Sequence, residues 1–261
     1  MASYQFGESE EKEAQLIKTL LEGGADVNAR TTGGRTALMS AAVNEYDLNV
    51  KTLLAFGADV NCRDKLGRTA LTWALFHGPS SETVQDLLKA GAQIGLTEAL
   101  ELEDLPRARA VLAEGGPITV RDYFGRSPWM LAAEKGQADI VQTLLERGAD
   151  PNALDGQGRT ALMFAVQGQP TSMAPGRPLW SGTRDREGRT KIVAMLLDHH
   201  ADPNLNPYFY HGRFFRNPTT NEIEETALAY AQDVNNLTAV DLLIRHGAKP
   251  HAPTAPVKST R

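Results

Sequence analysis

The sequence predicts an all-α solenoid, a stack of helix-turn-helix units joined by extended β-turn or hairpin fingers. Three observations carry this. Gly24-Ala25-Asp26-Val27-Asn28 returns as Gly57-Ala58-Asp59-Val60-Asn61, so residue 24 maps to residue 57, a period of 33. A second signature, Gly-Arg-Thr-Ala-Leu, stands at Gly34–Leu38, Gly67–Leu71 and Gly158–Leu162, with variants at Gly125-Arg126-Ser127-Pro128-Trp129 and Glu225-Thr226-Ala227-Leu228. After each comes a run with apolar residues at i, i+3 and i+4, as in Ile140-Val141-Gln142-Thr143-Leu144-Leu145, which gives a helix one buried stripe.

Taken in order, the chain opens with an extension over 1–10 and a half repeat whose single helix runs from about Glu10 to Glu22. The acidic stretch Glu8 to Glu13 suits a solvent-facing cap. Repeat 1 has a first helix opened by Thr36 and a second helix around Val50–Leu54. Repeat 2 has the same pair at Thr69 and Val84–Leu88. A hydroxyl residue before an apolar run is a helix N-cap, its oxygen accepting from a backbone N–H of the first turn. Repeat 3 lacks the extended turn and passes from Gly95 straight into Leu96-Thr97-Glu98-Ala99-Leu100. Repeat 4 opens at Ser127, repeat 5 at Thr160 and repeat 6 at Thr226.

Each second helix is expected to close on a left-handed residue, at Gly24, Gly57, Gly91, Gly116, Gly148, His200 and Gly247. The resulting intervals are 33, 34, 25, 32, 52 and 47 residues. The two longest contain insertions near 167–188 and 205–222. Three prolines and two glycines between Gln169 and Arg184 exclude a regular helix there, and Trp180 favours an ordered loop. The second insertion reads Tyr208-Phe209-Tyr210-His211-Gly212-Arg213-Phe214-Phe215-Arg216, rings mixed with arginine as in binding hot spots. Residues 251–261, with two prolines, read as a disordered tail.

Helix, loop, helix and extended turn repeated at this period resemble the ankyrin repeat, from about Glu11 to Pro250. The family's Thr-Pro-Leu-His core is only partly kept: the proline survives at Pro128, and Met39, Thr72, Met130, Met163 and Ala229 replace the histidine. The resemblance implies a concave groove lined by finger tips and first helices, where partners lie. Position by position, that groove would present Arg30, Thr32, Arg35, Arg63, Lys65, Leu66, Arg68, Phe76, His77, Arg121, Tyr123, Phe124, Arg126, Glu134 and Lys135. Arg35, Arg68, Arg126 and Arg159 share one position, which makes an arginine row, or else a set of ion pairs with neighbouring aspartates. The repeated Asp26, Asp59, Asp150 and Asp202 read as scaffold, bonding the turns from copy to copy.

The formal charge of −5 argues against a general polyanion binder such as a nucleic-acid protein. Cys62 is the single cysteine, so neither an internal disulfide nor a sulfur-based metal cluster is expected. His199 and His200 are adjacent and project about 100° apart on a helix, which disfavours one shared ion. No window approaches a membrane span, and the protein is read as cytoplasmic, without cofactor or metal. The leading expectation is a non-enzymatic module that binds another protein through Arg35, Arg68, Phe76, His77, Tyr123, Phe124, Arg126, Arg159, Trp180 and the finger Tyr208 to Arg216. The alternative is a small-molecule-binding or catalytic protein with a pocket beneath the two insertions. Oligomeric state is left open.

Overall fold

The computed structural model describes residues 2–167, 186–205 and 226–249. The chain divides into two compact units, Met1–Leu131 and Ala132–Arg261. The first holds helices α1 (Ala2–Glu22), α2 (Ala37–Val43), α3 (Asp47–Ala55), α4 (Ala70–Ala74), α5 (Glu82–Lys89), α6 (Leu96–Glu101) and α7 (Leu105–Ala113). A 3-10 turn, Leu75–His77, continues α4. Helix α8 (Pro128–Glu134) spans the unit boundary. The second unit continues with α9 (Ala138–Glu146), α10 (Ala161–Gln167), α11 (Arg186–Asp198), α12 (Ala227–Asp233) and α13 (Leu237–Arg245). Among the described residues no segment forms a regular strand.

In the first unit the first helices form one layer, α2 on α4 and α4 on α6, and the second helices form another, α1 on α3 and α3 on α5. Leu38, Met39, Val50, Leu53, Leu71, Val84 and Leu87 fill the space between them, with Ile17 and Leu21 of α1 packed alongside. The second unit repeats the plan, α10 on α12 and α9 and α13 on either side of α11. Met39, Met130 and Met163, at the family's histidine position, are buried; Met39 and Met163 are apolar filler, while Met130 Sδ accepts from Ser127 N–H at 3.4 Å.

Four of the five hydroxyl N-caps expected from sequence form: Thr36, Thr69, Thr160 and Thr226 accept from the N–H groups of Met39, Thr72, Met163 and Ala229 at 3.2–3.4 Å. Ser127 is a correction: its hydroxyl is buried without a hydrogen-bond partner, and Met130 N–H bonds the Ser127 carbonyl instead. The expected left-handed helix ends also form at Gly24, Gly57, Gly91, Gly148, His200 and Gly247. Repeat 3 is a correction. Its left-handed residue is Gly115, φ 77°, whose N–H bonds the Leu112 carbonyl at 3.0 Å, and Gly116 follows it outside that region. In a Gly-Gly pair sequence does not decide which glycine reverses the chain; the hydrogen-bond register does. The helix of the half repeat likewise runs from Ala2, through the expected extension over 1–10.

A further correction concerns the aspartates. Asp26, Asp59, Asp150 and Asp202 each accept from the N–H two residues on, within their own turn, at 2.9 Å. The asparagines that follow make the links between copies. Asn61 donates to the Gly91 carbonyl at 3.2 Å and accepts from Gln93 N–H at 2.8 Å. Asn152 does the same with His200 and Asp202, and Asn204 with Gly247 and Lys249. An amide carries both a donor and an acceptor, so it can satisfy a carbonyl and an N–H of the next turn together; a carboxylate can only accept.

Candidate finger-tip site

Each finger among the described residues is a tight turn closed from both ends. In the second, Asp64 N–H donates to the Arg68 carbonyl at 2.9 Å, while the Asp64 carboxylate accepts from Leu66 N–H and Arg68 N–H at 2.8 and 2.9 Å. Asp122 and Asp155 do the same work in the fourth and fifth fingers. These buried carboxylates also capture the arginines. Arg68 Nε lies 2.9 Å from Asp64, Arg126 Nε 2.6 Å from Asp122, and Arg159 Nε 3.0 Å from Asp155. Arg126 reaches Glu101 as well. Three of the four arginines of the expected row are therefore committed to their own scaffold. Arg159 belongs to the second unit, where its guanidinium lies 4.4 Å from the centre of the Phe164 ring.

Arg35 differs because Thr31 stands where the other fingers have aspartate; the Thr31 hydroxyl accepts from Arg35 N–H at 3.1 Å. Its guanidinium lies 3.7 Å from the centre of the Trp73 ring, and that of Arg68 lies 4.0 Å from the same ring. Both cations are drawn to the electron-rich ring face, an attraction worth about 0.5–2 kcal/mol each. Trp73 is not among the residues that the resemblance places in the groove. The signal was available: arginine five residues before an aromatic recurs at Arg68/Trp73 and Arg159/Phe164.

Around Trp73 the structure assembles Phe76, His77, Tyr123 and Phe124. Tyr123 meets Trp73 edge-on with centroids 5.6 Å apart, stacks obliquely on Phe76 at 4.2 Å, and meets Phe124 at 5.4 Å. Phe76 in turn touches Phe124 at 5.4 Å and His77 at 4.7 Å. Chain topology explains the meeting. Repeat 3 has no finger, so the fourth finger faces the second one. Val120 packs where a side chain at Gly67 would begin, and Thr97 ties the Val120 carbonyl to α6 at 2.6 Å. The tip residues Tyr123 and Phe124 then settle over the end of α4.

The rings stay partly open, Phe76 at 37%, Tyr123 at 41% and Phe124 at 38% exposure, beside Leu66 at 64%. The space left between Tyr123, Leu75 and Thr97 is about 10 Å³. That is room for one water and far below the several hundred cubic ångströms of a small-molecule site. His77 is partly spent on scaffold: its Nε2 donates to the Val43 carbonyl at 2.8 Å and its Nδ1 lies 3.4 Å from Glu45.

The cationic edge lies next to these rings. Lys65 N–H bonds the Gly33 carbonyl at 3.0 Å, joining the first two fingers. Gly34, at φ 81°, makes room: a Cβ there would lie 3.0 Å from Lys65 N, so any side chain is excluded both by conformation and by contact. Arg30 Nη1 donates to the Arg63 carbonyl at 3.2 Å, and Arg63 Nη1 to the Gly67 carbonyl at 3.0 Å. Arg30 is held above its ordinary pKa, first by its hydrogen bond with the Cys62 side chain, and stays charged.

Trp180, Tyr208, Phe209, Tyr210, His211, Arg213, Phe214, Phe215 and Arg216, and hence the expected pocket beneath the insertions, lie outside the described residues. Among the described residues no group of His, Cys, Asp and Glu is placed to hold a metal ion, and no helix is long and apolar enough to cross a membrane.

Comparison with known proteins agrees with the repeat geometry. Residues 8–98 and 96–174 match the family described as ankyrin repeats (3 copies). The chain belongs to the ankyrin repeat family, whose members are general protein-interaction modules. It is 34% identical over 89 residues to human ankyrin repeat domain-containing protein 63, covering 31% of this chain and 23% of that protein. It is 35% identical over 95 residues to mouse NF-kappa-B inhibitor delta, covering 34% and 29%. With the human transient receptor potential cation channel subfamily A member 1 it shares 29% over 130 residues, covering 49% and 9%. The match thus spans less than a third of each relative's own length.

Proposed function

We propose that this chain is a non-enzymatic module that holds another protein through the fingers and first helices of its first unit, with Tyr208 to Arg216 as a second contact. The observation that carries this reading is the cluster of Phe76, Tyr123 and Phe124, gathered from two repeats and left more than a third exposed. Such rings, fixed by packing and rimmed by arginine, supply contact area at little cost in conformational entropy, as hot-spot residues do. Helices set the surface and the finger tips select the partner.

The test is affinity capture from native cell extract by three forms of the chain: wild type, Phe76→Ala with Phe124→Ala, and Phe214→Ala with Phe215→Ala. Loss of the same captured proteins from the first variant supports the finger-tip site, and loss from the second supports the insertion contact. Equal capture by all three forms, each shown folded by circular dichroism, would overturn both.

A further inference from the structure

Resting on that reading, we infer that the partner segment bound at the first-unit finger tips is an acidic peptide carrying an apolar side chain. Charge on the tips is one-sided. Arg30, Arg35, Arg63 and Lys65 are all exposed, and among the described residues none forms an ion pair with a carboxylate. The first two fingers hold them close together through the Lys65–Gly33, Arg30–Arg63 and Arg63–Gly67 bonds, and Arg35 is pinned against Trp73.

Most carboxylates near these cations are engaged elsewhere, although the exposed Asp59 still draws on Arg30 electrostatically. Asp64 and Asp122 are buried under Arg68 and Arg126, and Asp26 and Asp59 close their own turns. Much of the unit's remaining acidity sits on helices away from the tips: Glu10 and Glu22 on α1, Glu82 and Asp86 on α5. An acidic protein therefore presents a locally positive face, whose field falls off over about 8–10 Å in physiological salt.

Next to this edge lie Leu66, Phe76, Tyr123 and Phe124, apolar surface that a purely charged ligand would leave uncovered. A short segment with acidic residues and one leucine or aromatic residue satisfies both halves together. A nucleic acid fits less well. Trp73 is buried at 2% exposure beneath two guanidinium groups, and Phe76 and Tyr123 pack on each other, which leaves little ring face on which a base could stack.

The probe is a display library of random 12-residue peptides selected on the full chain in low salt. Enriched peptides are expected to carry several Asp or Glu residues and one large apolar residue. The synthetic consensus peptide should bind at least about tenfold more weakly to Arg35→Glu with Lys65→Glu, and similarly to Phe76→Ser with Leu66→Ser; raising salt tenfold should weaken it by about the same factor. The charge pair lies on exposed residues and keeps the fold testable if the apolar pair unfolds. Enrichment of neutral or basic peptides that still need Phe76 overturns the acidic partner and leaves the binding face standing. No enrichment overturns both. Equal or tighter binding by a 12-nucleotide oligothymidylate that competes with the peptide assigns the face to polyanions and overturns the inference.

Discussion

At the scale of single residues, the same type does different work according to one neighbour. Arg68, Arg126 and Arg159 each follow an aspartate by four positions and are held by it. Arg35 follows Thr31 and is left free to lie on Trp73. Asp64→Ala is expected to lower stability by about 2–3 kcal/mol, read as a fall in the urea midpoint, because it strips two N–H groups and one partly buried guanidinium of their acceptor. Arg35→Ala removes only one exposed cation from a ring face and should cost under about 1 kcal/mol. The asparagine bridges give a sharper contrast. Asn61→Ala and Asn61→Asp should both destabilise by about 1–2 kcal/mol, since the carboxylate of the second cannot donate to the Gly91 carbonyl. A neutral Asn61→Asp would refute the bridging role.

At the scale of elements, four of the five caps were legible because they are local; Ser127 forms none. A threonine hydroxyl and the N–H three residues on are placed by the first turn alone. Helix C-termini were legible to within a residue, and the one miss, Gly115 in place of Gly116, came from a pair of equivalent glycines. His200 occupies a left-handed position, φ 66°, that glycine fills in the other repeats. His200→Gly is therefore expected to raise the thermal midpoint, by a stabilisation of about 0.5–1 kcal/mol, while keeping the Asn152 bond to its carbonyl. The missing finger of repeat 3 was visible as a short interval. Its consequence was not, because sequence gives no distance between Tyr123 and Phe76, 47 positions apart.

At the scale of the molecule, acidic balance and basic finger tips coexist because charge is distributed by face. The formal charge of −5 is spread over 261 residues, while four unpaired cations gather on two adjoining fingers. Association with an acidic partner should accordingly show an on-rate that falls as salt rises, while thermal stability changes little over the same range; stopped-flow mixing and a melting curve check the two together. A salt-independent on-rate would mean that the tips do not steer the encounter.

The amino-acid order alone determined the repeating helices, most of their caps, their order and the family, because each depends on contacts within about a turn or on a period of some thirty residues. The tertiary structure decided which side chains meet. Trp73 lies between Arg35 and Arg68, and the fourth finger closes over α4, only because stacking brings distant repeats to van der Waals contact and the absent third finger leaves the space to be filled. Packing of that kind is set by the sum of neighbouring shapes, which no local window of sequence contains.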